Sequence, residues 1–262
     1  MLEIDNLSLG YGQGRAGQQA IVNGISLKLE PGVCALLGPN GCGKSTLLKG
    51  LAGLLRPQAG SIRLQGRELA QWPRQALARR LAFMPQQPTA PDEIHVRQLV
   101  MLGRYPHLGL WRRPGQEDLD RVDWAMGQTG VAELAYKPLR SLSGGQQQRV
   151  WIAMALAQQA GLLLLDEPTT YLDWGYQLET LELLGQLHRE QGLSVLMSLH
   201  ELNQAARYAQ HLVVMREGRL VQEGSPAEVL TPALLAEVFG VDACILRDED
   251  GVHHALARGT AR

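Results

Sequence analysis

Several features that define large classes of proteins are scarce in this chain of 262 residues. It has three cysteines, Cys34, Cys42 and Cys244, which lie far apart and form no Cys-x-x-Cys pair. An odd number of scattered thiols favours reduced cysteines over a disulfide framework. The formal net charge of −1 supplies no broad positive field, which disfavours nucleic-acid binding by charge alone.

Long hydrophobic runs are also lacking. The longest apolar stretches, such as residues 162–165, are far shorter than the about 20 residues that a membrane-spanning helix needs. Residues 1–7 alternate apolar and polar side chains, a pattern that predicts an edge strand rather than a signal peptide. If the protein serves a membrane, we expect it to do so as a peripheral subunit.

The chain does contain a complete phosphate loop of the form Gly-x4-Gly-Lys-Ser/Thr. It consists of Gly38, Pro39, Asn40, Gly41, Cys42, Gly43, Lys44, Ser45 and Thr46. The apolar run 33–37 precedes it and a helical pattern follows. Glycines allow successive backbone N–H groups to point at phosphates, the lysine reaches the β- and γ-phosphates, and the serine hydroxyl binds Mg²⁺. The motif predicts a nucleoside triphosphate site.

A second motif is an apolar strand, residues 162–165, that ends in two carboxylates. A strand buried on both faces is continuously apolar, and residues at its carboxyl end meet a ligand. Asp166 is the candidate Mg²⁺ ligand and Glu167 the candidate general base that polarises the attacking water. An ordinary buried strand ending at a polar turn is the alternative, and the phosphate loop in the same chain favours the functional interpretation.

A third motif lies upstream and reads Leu142-Ser143-Gly144-Gly145-Gln146. Ser143 is a natural N-cap, and the glycines expose backbone N–H groups at the start of a helix. A plain helix cap explains the serine but not the Gly-Gly-Gln that follows. The motif therefore predicts a second anion-binding helix start.

The remaining pattern indicates an α/β fold with a mainly parallel sheet covered by helices. Short strands occupy the first 30 residues, a hairpin over 61–68 leads into a polar helix through Arg80, and residues 81–84 form a strand. Apolar residues recur at helical spacing between residues 87 and 160, which predicts a helical insertion. The polar tail, residues 247–262, predicts a hairpin around Asp250-Gly251.

Together these residues resemble the ATP-binding cassette (ABC) transporter ATPases over nearly the whole chain. The resemblance implies one nucleotide-binding domain, 1–262, with a RecA-like P-loop NTPase core, an N-terminal antiparallel β subdomain and an inserted helical subdomain near 87–160. It implies ATP and Mg²⁺ as cofactors. Residues 142–146 match the signature motif, which contacts the γ-phosphate of ATP held by a second copy.

The same resemblance assigns roles to residues that no local pattern would single out. Tyr11 is similar to the aromatic that stacks on adenine, and Gln86 to the glutamine that contacts Mg²⁺ and water and couples to the membrane partner. Asp173 belongs to the loop that crosses the dimer interface. His200 matches the switch histidine that contacts the γ-phosphate. Implied catalytic residues are thus Glu167, His200 and Gln86, and implied metal ligands are Ser45, Gln86 and Asp166.

Segments 103–107, 151–154, 167–173 and 202–208 narrow the resemblance to importers of ferric siderophores, haem and cobalamin, the ferric citrate importers in particular. This implies an ATPase subunit on the cytoplasmic face of the inner membrane. Its partners would be a second copy, permease subunits and, indirectly, a periplasmic or surface substrate-binding protein. Glu201 stands where an aspartate is frequent, and it keeps the charge.

Other readings of the sequence remain open. A haem or cobalamin importer is the nearest alternative. A soluble ABC ATPase would usually carry two cassettes or a long coiled-coil insertion, and a small-molecule phosphotransferase would lack the Leu-Ser-Gly-Gly-Gln segment. His211 and the pair His253-His254 are expected to be surface histidines, and Arg74, Arg79 and Arg80 a solvated helix face. Residues 111–113 form either a partner contact or a surface loop.

Overall fold

A computed structural model describes residues 1–11, 20–91, 93–108 and 113–261. The Gly-Tyr-Gly-Gln-Gly run over residues 10–14, which predicts a turn, lies partly outside these ranges. So do residues 111 and 112 of the segment 111–113, for which a partner contact and a surface loop were both open. The regular elements in chain order are β1 Leu2–Leu9, β2 Val22–Leu29, β3 Val33–Leu37, α1 Lys44–Leu51, β4 Ala59–Leu64, β5 Arg67–Glu68, α2 Arg74–Ala78, β6 Leu81–Met84, α3 Val96–Leu102, α4 Gln116–Gln128, α5 Gly144–Ala157, β7 Leu162–Leu165, α6 Trp174–Gln191, β8 Ser194–Ser198, α7 Leu202–Tyr208, β9 His211–Arg216, β10 Arg219–Gly224, α8 Pro226–Val229, α9 Pro232–Phe239, β11 Val241–Arg247 and β12 His253–Thr260.

The chain forms two compact units, which are residues 1–71 with 195–262, and residues 72–194. In the first unit an antiparallel sheet has the order β2-β1-β4-β5, and β10, β9, β3 and β8 are neighbours in that order. Strand β3 is parallel to both β8 and β9. Every residue of β3 is buried, as its continuously apolar sequence predicts for a strand of a parallel sheet.

Two expectations for the N-terminal region are wrong in detail. Strand β1 is not an edge strand, because β2 and β4 pair with its two sides. The helix expected to run through Arg80 is reduced to a short 3₁₀ turn over 69–71 and to α2. Pro73 separates the two, since proline lacks an N–H and biases the residue before it away from the helical region. The predicted hairpin is present, and its turn residues Gln65 and Gly66 both have positive φ.

The second unit combines a parallel strand pair with packed helices. Strands β6 and β7 pair from Leu81↔Leu162 to Met84↔Leu165. Helices α3, α4 and α5 contact one another. Apolar side chains that the helical spacing singles out are buried, among them Val96, Leu99, Val100, Val122, Ala125, Met126 and Val131. Helices α3, α4 and α5 lie within the 87–160 stretch, as the spacing predicts.

A buried ion pair joins the helices of this unit. The Arg104 side chain is 2% exposed, and its Nε donates to Asp118 Oδ1 at 3.0 Å. Its Nη1 donates to the carbonyl of Ala157 at 2.8 Å. Beside it, a Cβ on Gly103 would lie 2.2 Å from the Met154 carbonyl, so only glycine permits this approach of α3 to α5. The segment that resembles siderophore importers thus packs the helical region together.

Strands β11 and β12 form the predicted C-terminal hairpin, which begins at Val241 rather than near residue 247. Gly251 at its turn has φ 82°, a conformation that glycine adopts readily. Across the described ranges, no helix is both long enough and apolar enough to cross a bilayer.

Candidate nucleotide-binding site

The phosphate loop connects β3 to α1 in the first unit. Gly38, Gly41 and Gly43 have φ of 148°, 77° and 107°, which suit glycine. A Cβ on Gly38 would lie 2.2 Å from the Met215 carbonyl, so the backbone of the loop lies directly against β9. The predicted strand, loop and helix are therefore present, with α1 beginning at Lys44 itself.

The loop holds its lysine in a fixed position. Lys44 is 6% exposed, and its Nζ donates to the carbonyls of Gly38 at 2.7 Å and Pro39 at 3.2 Å. The Gly218 N–H donates to the Cys42 carbonyl at 3.0 Å and ties the loop to the β9–β10 turn. Burial raises the pKa of the Cys42 thiol, and the nearby Lys44 opposes that shift. The loop is thus ordered around a buried cation.

His200 lies at the same sheet edge as this loop. Leu36 of β3 pairs with Ser198 of β8, and the Leu199 N–H donates to the Leu36 carbonyl at 3.2 Å. Gly38 lies two residues beyond Leu36, and His200 lies two residues beyond Ser198. Because carboxyl ends of parallel strands meet at one edge, the predicted switch histidine and the start of the phosphate loop emerge from neighbouring strands. His200 is exposed there.

Tyr11 rests on α1. Thr46 Oγ1 and Lys49 Nζ each lie 3.5 Å from the Tyr11 hydroxyl oxygen, and the Lys49 ammonium lies 5.7 Å from the ring centroid. The ring is about half exposed, at 49%. An exposed aromatic face beside the helix that follows the phosphate loop is compatible with stacking on a base, which stays a prediction.

In the second unit, the parallel pairing of β6 with β7 brings Gln86 and Glu167 together, as the pairing of β3 with β8 does for the phosphate loop and His200. Met84 of β6 pairs with Leu165 of β7. Gln86 lies two residues beyond Met84, and Glu167 lies two residues beyond Leu165. Gln86 Nε2 donates to Glu167 Oε2 at 2.6 Å. The preceding Asp166 is 1% exposed, and its N–H donates to the Met84 carbonyl at 2.9 Å. The two carboxylates therefore leave β7 in different environments.

Two residues outside the predicted site set hold this carboxylate and the backbone beside it. Thr170 Oγ1 donates to Glu167 Oε2 at 3.0 Å, and Gln148 Nε2 donates to the Pro168 carbonyl at 3.0 Å. Glu167 itself has φ 54°, a conformation that is uncommon for a non-glycine residue and that clusters at functional sites. The threonine at a spacing of three from Glu167 was the available signal.

The predicted second anion-binding helix start has the expected cap. Ser143 is the N-cap of α5; its Oγ accepts from the Gln146 N–H at 3.3 Å, and the Gln146 Oε1 accepts from the Ser143 N–H at 3.1 Å. Such a reciprocal pair is a capping box. Ser143 and Gly144 are exposed, so backbone at this helix start faces outward.

The segment that leads to Asp173 lies against this helix start. A Cβ on Gly145 would lie 3.3 Å from Leu172 Cδ2, and one on Gly144 would lie 3.8 Å from Tyr171 Cβ. Asp173 is the exposed N-cap of α6. Tyr171, with φ 69°, and Trp174 are also exposed, at 66% and 76%. Two large aromatics thus flank Asp173 on the surface.

Two of the three histidines expected at the surface, His211 and His254, have carboxylate partners. His211 Nε2 lies 3.1 Å from Glu223 Oε2, and His254 Nε2 lies 2.8 Å from Asp248 Oδ2. The hydrogen bond from His254 is the main reason why the pKa of Asp248 is lowered. Among the described residues, no group of three or more His, Cys, Asp or Glu side chains is placed to hold a metal.

A phosphate loop on an α/β core, with paired carboxylates after a buried strand, defines a P-loop nucleoside triphosphatase. The family model described as ABC transporter matches residues 22–170, and the chain belongs to that family. It is accordingly an ATP-binding protein whose hydrolysis of ATP is coupled to transport. The predicted fold class, a P-loop core with a mainly parallel sheet, an antiparallel β region and a helical region, is confirmed by structural similarity to ABC cassettes.

The chain is similar to import ATPases over almost its whole length. It is 44% identical over 248 residues to the iron(3+)-hydroxamate import ATP-binding protein of Bacillus subtilis (strain 168), covering 94% of this chain and 90% of the relative. It is 43% identical over 248 residues to the ferric enterobactin transport ATP-binding protein of Escherichia coli (strain K12), covering 94% of this chain and 90% of the relative.

Two solved structures are similar as well. One belongs to an ABC transporter assigned to the metal-chelate type, in an inward-facing conformation, with TM-score 0.82, 29% identity and coverage of 98% of this chain and 96% of that one. The other is the dimeric structure of the bacterial ABC transporter cassette MJ0796, with TM-score 0.77, 25% identity and coverage of 86% and 99%. Both agree with the resemblance found in the motifs.

Proposed function

We propose that the chain is the ATPase subunit of a bacterial importer of iron-siderophore or related metal chelates, and that it hydrolyses ATP at a site shared by two copies. One observation carries the shared site. The chain has one phosphate loop, Gly38–Thr46, and a separate exposed helix start at Ser143–Gln146 whose backbone N–H groups suit an anion. A second copy would bring that helix start to the bound triphosphate, and the similarity to a dimeric cassette supports this arrangement.

The phosphate loop suits ATP on its own geometry. Its positive-φ glycines form a backbone concavity. In the described part of the chain, apart from Gly41 and its two chain neighbours, no atom lies within 4 Å of where a Cβ on Gly41 would be. Lys44 supplies the positive charge for the β- and γ-phosphates. Tyr11 would stack on the adenine beside α1. Residues of this loop then bind and orient the nucleotide, and other side chains act in the hydrolysis of ATP.

The donor set offered for Mg²⁺ is hard and oxygen-based. It comprises the Ser45 hydroxyl at the start of α1, the buried Asp166 carboxylate and the amide oxygen of Gln86. The amide nitrogen of Gln86, Nε2, donates to Glu167. Such oxygens are the ligands that Mg²⁺ prefers. The ion would neutralise charge on the phosphate oxygens. In donor chemistry, these three side chains therefore suit Mg²⁺.

Glu167 is proposed as the general base and His200 as a contact to the γ-phosphate. Gln86 and Thr170 both donate to Glu167 Oε2, so the carboxylate is held in one orientation, as proton abstraction from a positioned water requires. His200 extends from the sheet edge at which the phosphate loop begins. Asp173, exposed at the start of α6, would meet the second copy.

A groove in the second unit suits the permease. It is lined mainly by apolar and aromatic side chains of α3 and the segments beside it, which are Ile94, His95, Arg97, Gln98, Met101, Leu102, Tyr105, Ala135 and Tyr136. Tyr105 and Tyr136 are 62% and 82% exposed, and exposed aromatics are enriched at protein interfaces. We assign this groove to a helix of the permease, which would hold the subunit at the cytoplasmic face of the inner membrane.

The relatives described above support an iron chelate as the substrate, since one is named for iron(3+)-hydroxamate import and the other for ferric enterobactin transport. Haem or cobalamin is the second candidate, since the segment over residues 167–173 also resembles the importers of those compounds. A substrate-binding protein outside the membrane would deliver the chelate to the permease.

Uptake by cells lacking this chain tests the proposal. Uptake of radiolabelled ferric hydroxamate, ferric enterobactin, ferric citrate, haem and cobalamin is measured, with the chain restored as wild type or as Glu167→Gln. We expect uptake of at least one iron chelate to fall, to recover with wild type and not to recover with Glu167→Gln. Loss of haem or cobalamin uptake alone would select the second candidate. Unchanged uptake of all five compounds would contradict the import function.

A further inference from the structure

The helix that follows His200 is short and depends on its neighbours. Helix α7 spans only Leu202–Tyr208, far below the roughly 12 to 15 residues at which an isolated helix becomes marginally stable. Its buried side chains are small, Ala205 and Ala206. Tertiary contacts on its other face must therefore fix its position, and with it the position of His200 immediately before it.

The C-terminal hairpin supplies those contacts through Asn203. The Asn203 Oδ1 accepts from the Ala255 N–H at 2.8 Å, and its Nδ2 donates to the Ala255 carbonyl at 3.3 Å. One side-chain amide thus engages both backbone groups of a single residue on β12, as a neighbouring strand would. This pair of hydrogen bonds fixes where the start of α7 lies along β12.

A second contact on the same helix face fixes the angle of α7. Arg207 follows Asn203 by four residues, a spacing that places both on one face. Its Nη1 lies 3.5 Å from Asp248 Oδ2 and its Nη2 lies 3.3 Å from Asp250 Oδ2, both at the hairpin turn. Asp248 is itself ordered by the Val252 N–H, at 2.8 Å, and by His254. Hence the middle and the turn of the hairpin both hold one short helix.

We infer that Asn203 is a positioning residue for ATP hydrolysis, through which the hairpin β11–β12 fixes α7 and thereby His200 at the γ-phosphate. The inference rests on the proposed role of His200 and goes beyond it by assigning a function to the C-terminal hairpin. Arg207 also positions α7, but it contributes less than Asn203, because exposed ion pairs add little stabilisation.

The first test is kinetic and uses the purified full chain with ATP and Mg²⁺. Asn203→Ala is expected to lower kcat about tenfold with little change in KM, as the loss of a transition-state contact does. Arg207→Ala should lower kcat less, and Arg207→Lys should restore most of it. Arg258→Ala is the matched control, because Arg258 is exposed on the same strand as Ala255 and its loss should leave kcat unchanged.

Coupling to His200 separates positioning from general destabilisation. In a His200→Ala background, Asn203→Ala should cause no further loss in single-turnover hydrolysis, since both changes remove the same interaction. Losses that multiply would overturn the inference. If His200→Ala alone hydrolyses ATP like wild type, the proposed role of His200 is wrong, which is a different failure.

Hydrogen exchange tests, without any activity measurement, whether Asn203 holds α7 and the segment that carries His200 in place. Amides of residues 199–202 should exchange faster in Asn203→Ala than in wild type or Arg258→Ala, while amides of β3 and β9 keep their protection. Equal exchange at 199–202 in all three proteins would overturn the inference even if kcat fell.

Discussion

Gln86 donates a hydrogen bond to Glu167 Oε2 at 2.6 Å, and it does so because β6 and β7 are parallel and in a register that pairs Met84 with Leu165. Gln86 and Glu167 each lie two residues beyond their member of that pair. The carboxyl ends of neighbouring parallel strands lie at one edge of a sheet, so the two side chains meet there. A residue proposed to couple to the permease is therefore in direct contact with the proposed general base. Movement of the loop that carries Gln86 would reorient Glu167.

Replacing Glu167 with glutamine should stop turnover and keep ATP binding. An amide preserves the shape but cannot accept a proton from water, and general-base catalysis contributes on the order of 10²- to 10⁴-fold. Lys44, Ser45 and Asp166 would still hold the nucleotide, so two copies should remain joined around ATP. Phosphate release and light scattering after size exclusion, with and without ATP, measure the two effects.

The matched control for this change is Glu179→Gln, since Glu179 is an exposed glutamate on α6. It should hydrolyse ATP at the wild-type rate. Within a transporter assembled with its permease, phosphate release by Glu167→Gln at the wild-type rate would remove Glu167 from the mechanism.

Lys44→Ala should abolish productive ATP binding. The buried Nζ contacts two loop carbonyls and is the proposed side-chain cation for the phosphates. Charge-assisted contacts to phosphate are among the strong hydrogen bonds. Fluorescence titration with ATP and Mg²⁺ measures the affinity, with Lys28→Ala as an exposed control in the same unit. Affinity close to that of wild type would show that the loop has been assigned wrongly.

The buried ion pair in the helical region predicts a large effect on stability. Arg104→Ala would leave Asp118, 3% exposed, as a buried charge without this partner, and breaking such a pair costs about 3–5 kcal/mol. Arg140→Ala removes an exposed partner of Glu93 and should cost less than about 1 kcal/mol. Urea unfolding gives both values, and equal losses would mean that the Arg104 pair contributes no more than a surface one.

Local motifs were readable from the sequence, while features that depend on pairing were not. The phosphate loop and the Ser143–Gln146 cap involve neighbours in the chain, so residue type and spacing determine them. The contact of Gln86 with Glu167 spans 81 positions and needs the strand register. Likewise β1 has the alternating pattern of an edge strand, and only its pairing on both sides shows otherwise. The positive φ of Glu167 and Tyr171 has no signature in residue type.

Ser143→Arg should leave the fold and ATP binding by one subunit intact and stop hydrolysis. Ser143 is exposed at a helix start that would meet the triphosphate of the second copy, and a bulky cation there should block closure of the pair. Loss of the cap costs only about 1 kcal/mol. Ser225→Arg is the matched control, since Ser225 is the N-cap of α8 and its N–H donates to Glu228 Oε2 at 2.8 Å. Nucleotide titration and phosphate release distinguish the two variants. Hydrolysis by Ser143→Arg alone at the wild-type rate would mean that each subunit completes its own site, and the shared-site model would be wrong.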